Sequence, residues 1–286
     1  MNATRTAILL IHCPDRKGIV AEVSGFIHQH GGNVLHLDQH VDFEENVFFM
    51  RMEWSLADFD LSLESFREVF EPLARRFEMI WSVEDSARRA RMAVFVSKQP
   101  HCLYDILSRQ ETGEFDVDIP LIIGNHDDCR HIAERFGIPF HHVPVTPETK
   151  ADSEREQVRL LEAHGIDFVV LARYMQILTP IVVDRFPLRI INIHHSFLPA
   201  FPGARPYHSA YARGVKIIGA TSHYVTAELD AGPIIEQDTI RVSHRETIED
   251  FIRRGRDLEK SVLARAVWLH LRRRILVYNN KTVLFG

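Results

Sequence analysis

Four short runs in the middle of the chain are almost unbroken in apolar character: residues 92–96, 119–123, 168–172 and 190–193. A strand with one wet face alternates apolar with polar, so a run without alternation must be covered on both faces. Segments with helical spacing lie between them, over 102–109, 128–136 and 153–164, and a short strand is expected at 140–145. Strands of this kind separated by helices predict a mostly parallel, Rossmann-like sheet packed between two helical layers. In such sheets ligands bind beyond the carboxyl ends of the strands.

The first third reads differently. Residues 5–13 form a buried strand, Pro14-Asp15-Arg16-Lys17-Gly18 a turn, and 19–30 a helix closed by Gly31-Gly32-Asn33. Strands over 34–42 and 46–54, a helix over 62–77 and a strand over 78–83 complete a β-α-β-β-α-β order, which is ferredoxin-like. The polar run Glu84 to Arg91 separates the two patterns. We therefore expect an α/β chain with a domain over 1–84, a charged linker over 85–91 and a second domain over 92–286. A helix-rich tail is expected from 245 to 274, with a small hairpin near 278–285.

Charge and cysteine content narrow the function. A net charge of −5 argues against nucleic acid as a partner, because phosphate binding needs a basic excess. Three widely spaced cysteines (Cys13, Cys102 and Cys129) give neither a disulfide framework nor a zinc-ligand spacing, which fits a reducing cytoplasm. No signal peptide is evident, and no apolar run approaches the roughly 20 residues needed to span a bilayer.

The fourth apolar run continues into Asn192-Ile193-His194-His195-Ser196-Phe197-Leu198-Pro199, and Glu228-Leu229-Asp230-Ala231-Gly232-Pro233 follows downstream. Residues two apart share a face of a strand, so Asn192 and His194 point one way and His195 the other. Pro199, Pro202 and Gly203 are expected to end the strand and leave the polar pair at its mouth. An amide, an imidazole and a carboxylate from a separate loop are a minimal kit for attacking a carbonyl with water or an amine. Each has a plainer reading: Asn192 as a turn cap, His194 as a satisfied core histidine, Asp230 as a turn former. His126-Asp127-Asp128-Cys129 with His131 can be drawn as metal ligands, but no ligand frame with zinc-site spacing exists, so no metal is expected.

Asn-x-His at a strand end with Asp in a later Asp-x-Gly-Pro loop resembles the formyltransferase fold that handles 10-formyltetrahydrofolate. His195, the run Phe136-Gly137-Ile138-Pro139-Phe140-His141-His142-Val143-Pro144-Val145-Thr146 and the N-terminal module narrow the resemblance to the formyltetrahydrofolate deformylases. The first domain resembles an ACT domain, with Asp15, Gly18 and Asn33 as its candidate effector residues. The resemblance implies hydrolysis of the formyl group to formate, with no cofactor besides the folate substrate. Asn192 and protonated His194 would stabilise the oxyanion, and Asp230 would orient and deprotonate water. Met175, Gln176, Ile177 and Leu178, with Thr226, Ala227, Glu228 and Leu229, would line the folate pocket, and His195 and His223 would support the site. An ACT domain further implies a homo-oligomer and an amino-acid effector such as glycine or methionine. Two other functions stay open at this point: formyl transfer to an amine acceptor, and a non-catalytic folate or amino-acid sensor. The turn after Val96 lacks the glycines of a phosphate cradle, which favours water over an amine acceptor.

Overall fold

The computed structural model describes residues 5–200 and 206–286, so Pro202 and Gly203 lie outside the described residues. The chain divides into two compact units, 1–89 with Arg273–Leu276 and Val283–Gly286, and 90–272 with Val277–Thr282.

In the first unit β1 (Thr6–Pro14), α1 (Ile19–Gln29), β2 (Asn33–Asp42), β3 (Val47–Ser55), α2 (Leu63–Arg76) and β4 (Ile80–Asp85) follow the expected order. The antiparallel sheet runs β2-β3-β1-β4. Period-two alternation sends Leu9, Ile11, Met50, Met52 and Trp54 toward the helices, where they pack with Val23, Ile27, Phe66 and Phe70. Ser62 caps α2 by accepting from the Ser65 N–H. Asp15 and Gly18 stand before the N-terminus of α1 and Asn33 follows its C-terminus. Eleven residues of helix hold these two groups about 16 Å apart.

The outer sheet face is covered by the chain's own end. Phe49 and Arg51 point away from the helices and are nonetheless 2% and 4% exposed. Arg51 Nε donates to Arg273 O at 3.1 Å, Gly286 N–H donates to Asp38 Oδ2 at 3.1 Å, and Phe285 is buried. Phe285→Ala is expected to lower stability by about 2–3 kcal/mol, below the usual range for a buried Phe because the short hairpin segment beside it can rearrange. Denaturant unfolding of the full chain checks this, and an unchanged midpoint would mean that the tail contributes no cover.

The second unit follows as β5 (Ala90–Val96), α3 (His101–Glu111), β6 (Val117–Gly124), α4 (Arg130–Arg135), β7 (Phe140–His142), α5 (Lys150–Ala163), β8 (Phe168–Ala172), α6 (Pro180–Val183), β9 (Ile190–His194), α7 (Pro206–Arg213), β10 (Ile217–Tyr224), β11 (Ile234–Arg241) and α8 (Ile248–Leu271); the hairpin β12 (Ile275–Tyr278) and β13 (Lys281–Leu284) ends the chain. The seven-stranded sheet has the order β11-β10-β9-β8-β5-β6-β7. Strands β9, β8, β5, β6 and β7 are parallel, and β10 and β11 add an antiparallel edge. The parallel strands are those read from the apolar runs. Chain order reverses beside β5, which puts the carboxyl ends of β5, β8 and β9 at the ligand-binding crevice of such a sheet. The connector expected over 85–91 is shorter, since β4 continues to Asp85 and β5 begins at Ala90. Charged residues at strand ends read as linker in the sequence, but they continue the ladders as far as the turn 86–89.

Candidate active site

Register brings the site together. Asn192 and His194 lie two apart on β9, as the alternation predicts, and Asn192 stands directly across the antiparallel pair from His223 on β10. Asn192 Nδ2 is 3.2 Å from His223 Nε2. His223 Nδ1 donates to Tyr224 O at 2.9 Å, so this nitrogen carries a hydrogen and Nε2 is free to accept from the Asn192 amide. One hydrogen of Asn192 Nδ2 is used there, and its second is left for a ligand.

Asp230 arrives from the loop after β10. Tyr224 N–H donates to Pro233 O at 2.9 Å and pinches the loop shut. A Cβ at Gly232 would lie 1.9 Å from Tyr224 O, so only glycine permits the pinch. Asp230 itself has φ 55, a left-handed conformation that Asp and Asn tolerate better than most residues. The loop folds the carboxylate back over the strand ends, with Oδ2 3.3 Å from His194 Nδ1 and Oδ1 3.6 Å from His223 Nε2. The hydrogen bond from His194 holds Asp230 well below the ordinary carboxylate pKa, and partial burial opposes it without winning. It is ionised throughout the neutral range. With Nδ1 turned to Asp230, His194 Nε2 is buried and has no hydrogen-bond partner among the described residues.

These groups border a cavity of about 440 Å³. Met175, Gln176, Ile177, Leu178, Thr226, Ala227, Glu228 and Leu229 all line this cavity. Met175, Ile177 and Leu229 are 47%, 57% and 59% exposed, so they form an apolar cavity wall rather than core. His195, just past the end of β9, borders both this cavity and a second one lined by Phe197 and Tyr207. Its ring lies 5.4 Å from that of His194 and 5.9 Å from that of Tyr207.

The wall at 173–179 is tied down at several points the sequence did not reveal. Ser97 Oγ accepts from Met175 N–H at 2.9 Å and contacts Asn125 Oδ1 at 2.6 Å. Gln157 donates to Tyr174 OH at 2.9 Å, Glu154 accepts from Thr179 N–H at 3.0 Å, and Lys150 donates to Ile177 O. Glu154 is 2% exposed and Gln157 0%. Polar residues in the buried register of α5 were the available signal.

The cluster drawn from sequence as a metal rival is otherwise engaged. Asp127 pairs with Arg130 and His142, and the Cys129 thiol donates to Ser97 O. A different group, His101, Cys102 and Glu259, brings three potential ligand atoms within 4.8 Å of one another. There the Arg173 guanidinium already stands against the carboxylate, at 3.2 Å. Burial raises the Cys102 thiol well above its ordinary pKa.

An Asn-His-Asp trio thus stands at the carboxyl edge of a Rossmann-like sheet. Residues 90–267 match the formyl transferase family and residues 7–75 the ACT domain family. The formyltetrahydrofolate deformylase of Synechocystis is 56% identical over 281 residues, covering 98% of this chain and 99% of that protein. The crystal structure of a formyltetrahydrofolate deformylase from Pseudomonas syringae superposes with a TM-score of 0.97 at 51% identity, over 100% of this chain and 96% of that one. A phosphoribosylglycinamide formyltransferase from Anaplasma phagocytophilum matches 70% of this chain and 96% of its own, at 32% identity and a TM-score of 0.64. The chain belongs to the formyltetrahydrofolate deformylase family. Among the described residues no helix is long and apolar enough to cross a membrane.

Proposed function

We propose that this chain hydrolyses 10-formyltetrahydrofolate to tetrahydrofolate and formate. The observation that carries the reading is the convergence of Asn192, His194 and Asp230 on one apolar-walled cavity. The formyl nitrogen shares its lone pair with an aryl ring, so the substrate is partly activated already. The remaining task is to stabilise an oxyanion and move protons. The free hydrogen of Asn192 Nδ2 and protonated His194 Nε2 donate to the developing oxyanion; preorganised donors of this kind contribute about 2.7–4 kcal/mol each. Ionised Asp230 keeps His194 charged, orients water and accepts its proton. Collapse of the tetrahedral adduct breaks the C–N bond as N10 takes that proton back. The residues complete this chemistry without a metal. His223 positions both Asn192 and Asp230, while Met175, Ile177 and Leu229 offer apolar surface to the flat pterin.

The ACT domain supports a regulatory reading. Asp15 and Gly18 lie too far from Asn33 in one copy for a small zwitterion to touch both, so an effector such as glycine or methionine would bridge two copies. Because the outer sheet face is covered in cis, the homo-oligomer would form through the edge strand β2, where Leu35 is 52% exposed. Free, buried Cys13, Cys102 and Cys129 suit a reducing cytoplasm. The decisive assay supplies 10-formyltetrahydrofolate with no amine acceptor. Formate should appear at a rate unaffected by EDTA and altered by glycine or methionine. No formate at high enzyme concentration would end the hydrolase reading, EDTA-sensitive release the metal-free one, and indifference to amino acids the regulatory one.

A further inference from the structure

The loop that carries Asp230 has few ties to the rest of the molecule. Residues 226–232 lie between the end of β10 and the start of β11. Within the loop, Thr226 Oγ1 donates to Glu228 O at 3.2 Å and Ala231 N–H to the same oxygen at 3.5 Å. Among the described residues, a single hydrogen bond from outside the loop reaches its backbone. Asn280 Nδ2 donates to Ala231 O at 2.8 Å, one residue past Asp230.

The donor sits where the chain can aim it. Asn279 and Asn280, with φ 45 and 60, are the two residues between the end of β12 and the start of β13. A two-residue hairpin turn of this kind needs positive φ at both positions, which asparagine tolerates. Just past the turn, Thr282 Oγ1 donates to Ile234 O at 2.6 Å. The hairpin tip, residues 277–282, is part of the second unit and so meets the segment 231–234 at both of its ends. On the same segment Tyr224 N–H holds Pro233 O. Glycine at position 280 would serve the turn as well or better. What asparagine adds there is an amide directed at Ala231 O.

We propose that Asn280 is a positioning residue for hydrolysis: by gripping Ala231 O it keeps the Asp230 carboxylate against His194 and the attacking water. The inference rests on the deformylase reading. A peptide group held at 231 restricts the backbone on either side of it, including the left-handed conformation of Asp230. A surface loop without that tie opens more readily, and the carboxylate then spends less time at its 3.3 Å distance from His194 Nδ1. Much of the cavity wall comes from the separate segment 173–178, so folate affinity depends on the bond less than turnover does. The bond is exposed to water, which keeps its effect modest.

The test is a double-mutant cycle on full-length protein, with formate release from 10-formyltetrahydrofolate as the readout. Asn280→Gly keeps the turn and deletes the amide. It should lower kcat about three- to tenfold, the worth of one hydrogen bond, with KM hardly changed. Asn279→Gly alters the other turn residue, which among the described residues makes no hydrogen bond to the loop, and should match wild type. In an Asp230→Asn background, Asn280→Gly should have no further effect, because the carboxylate it places is already gone. An unchanged kcat in Asn280→Gly overturns the proposal. So does an equal loss in both backgrounds, which marks a general loosening of the fold, and so does a rise in KM at constant kcat. Failure of the deformylase reading is seen separately, as no formate from wild type.

Discussion

Asp230→Asn should lose about 100- to 10,000-fold in turnover while folate affinity stays within a few-fold. The substitution is nearly isosteric, and asparagine accepts the φ of 55 at this position as readily as aspartate does. The loop pinched by Tyr224 and Gly232 therefore keeps its shape, as does the apolar wall at Leu229. What changes is charge. An amide NH₂ or a neutral carbonyl replaces the carboxylate 3.3 Å from His194 Nδ1, so the imidazolium loses its counterion and water loses its base. Steady-state kinetics with a binding measurement separate the two effects. Retention of more than about a tenth of the wild-type rate would remove Asp230 from the proton path. The same hydrogen bond makes Asp230 a pH-sensitive contributor to stability. Its folded pKa is depressed, so the stabilisation is full above the unfolded value of about 3.9 and fades as pH falls below it.

Asn192→Ala should lower kcat by about 100- to 1,000-fold with little change in KM. Its amide has two hydrogens, and the structure uses one on His223 at 3.2 Å. The other acts on an oxygen that becomes strongly basic only in the tetrahedral adduct, so ground-state binding hardly depends on it. A variant with weakened binding and an unchanged rate constant would make Asn192 a substrate anchor instead.

The parallel core strands were legible because doubly buried strands leave unbroken apolar runs, and helical spacing between the runs marked the crossovers. Asn192 and His194 were legible for a related reason: a two-residue spacing at the end of such a run fixes a shared face. His195 stands one residue past the point where the ladder stops, so alternation alone does not place it. The pairing of Asn192 with His223 depends on register across β9 and β10, which lie 31 positions apart and carry no local mark of it. Arg173 and Glu259 are the sharpest case. Their meeting joins the end of β8 to the middle of α8, and only an acid in an apolar helix stripe hinted at it. The C-terminal cover of the first sheet was hidden because residues 278–285 read as an ordinary hairpin.

That cover also sets an order in time. The first unit is assembled from both ends of the polypeptide, so it is discontinuous in sequence. During synthesis its sheet emerges early, but Leu276 and Phe285 follow only after residues 90–272 of the second unit. Between those moments the outer face, with Phe49 and Arg51, lacks its covering segments. The domain begun first is thus completed only after the body of the second has been made, and the nascent chain carries an uncovered sheet face through that interval.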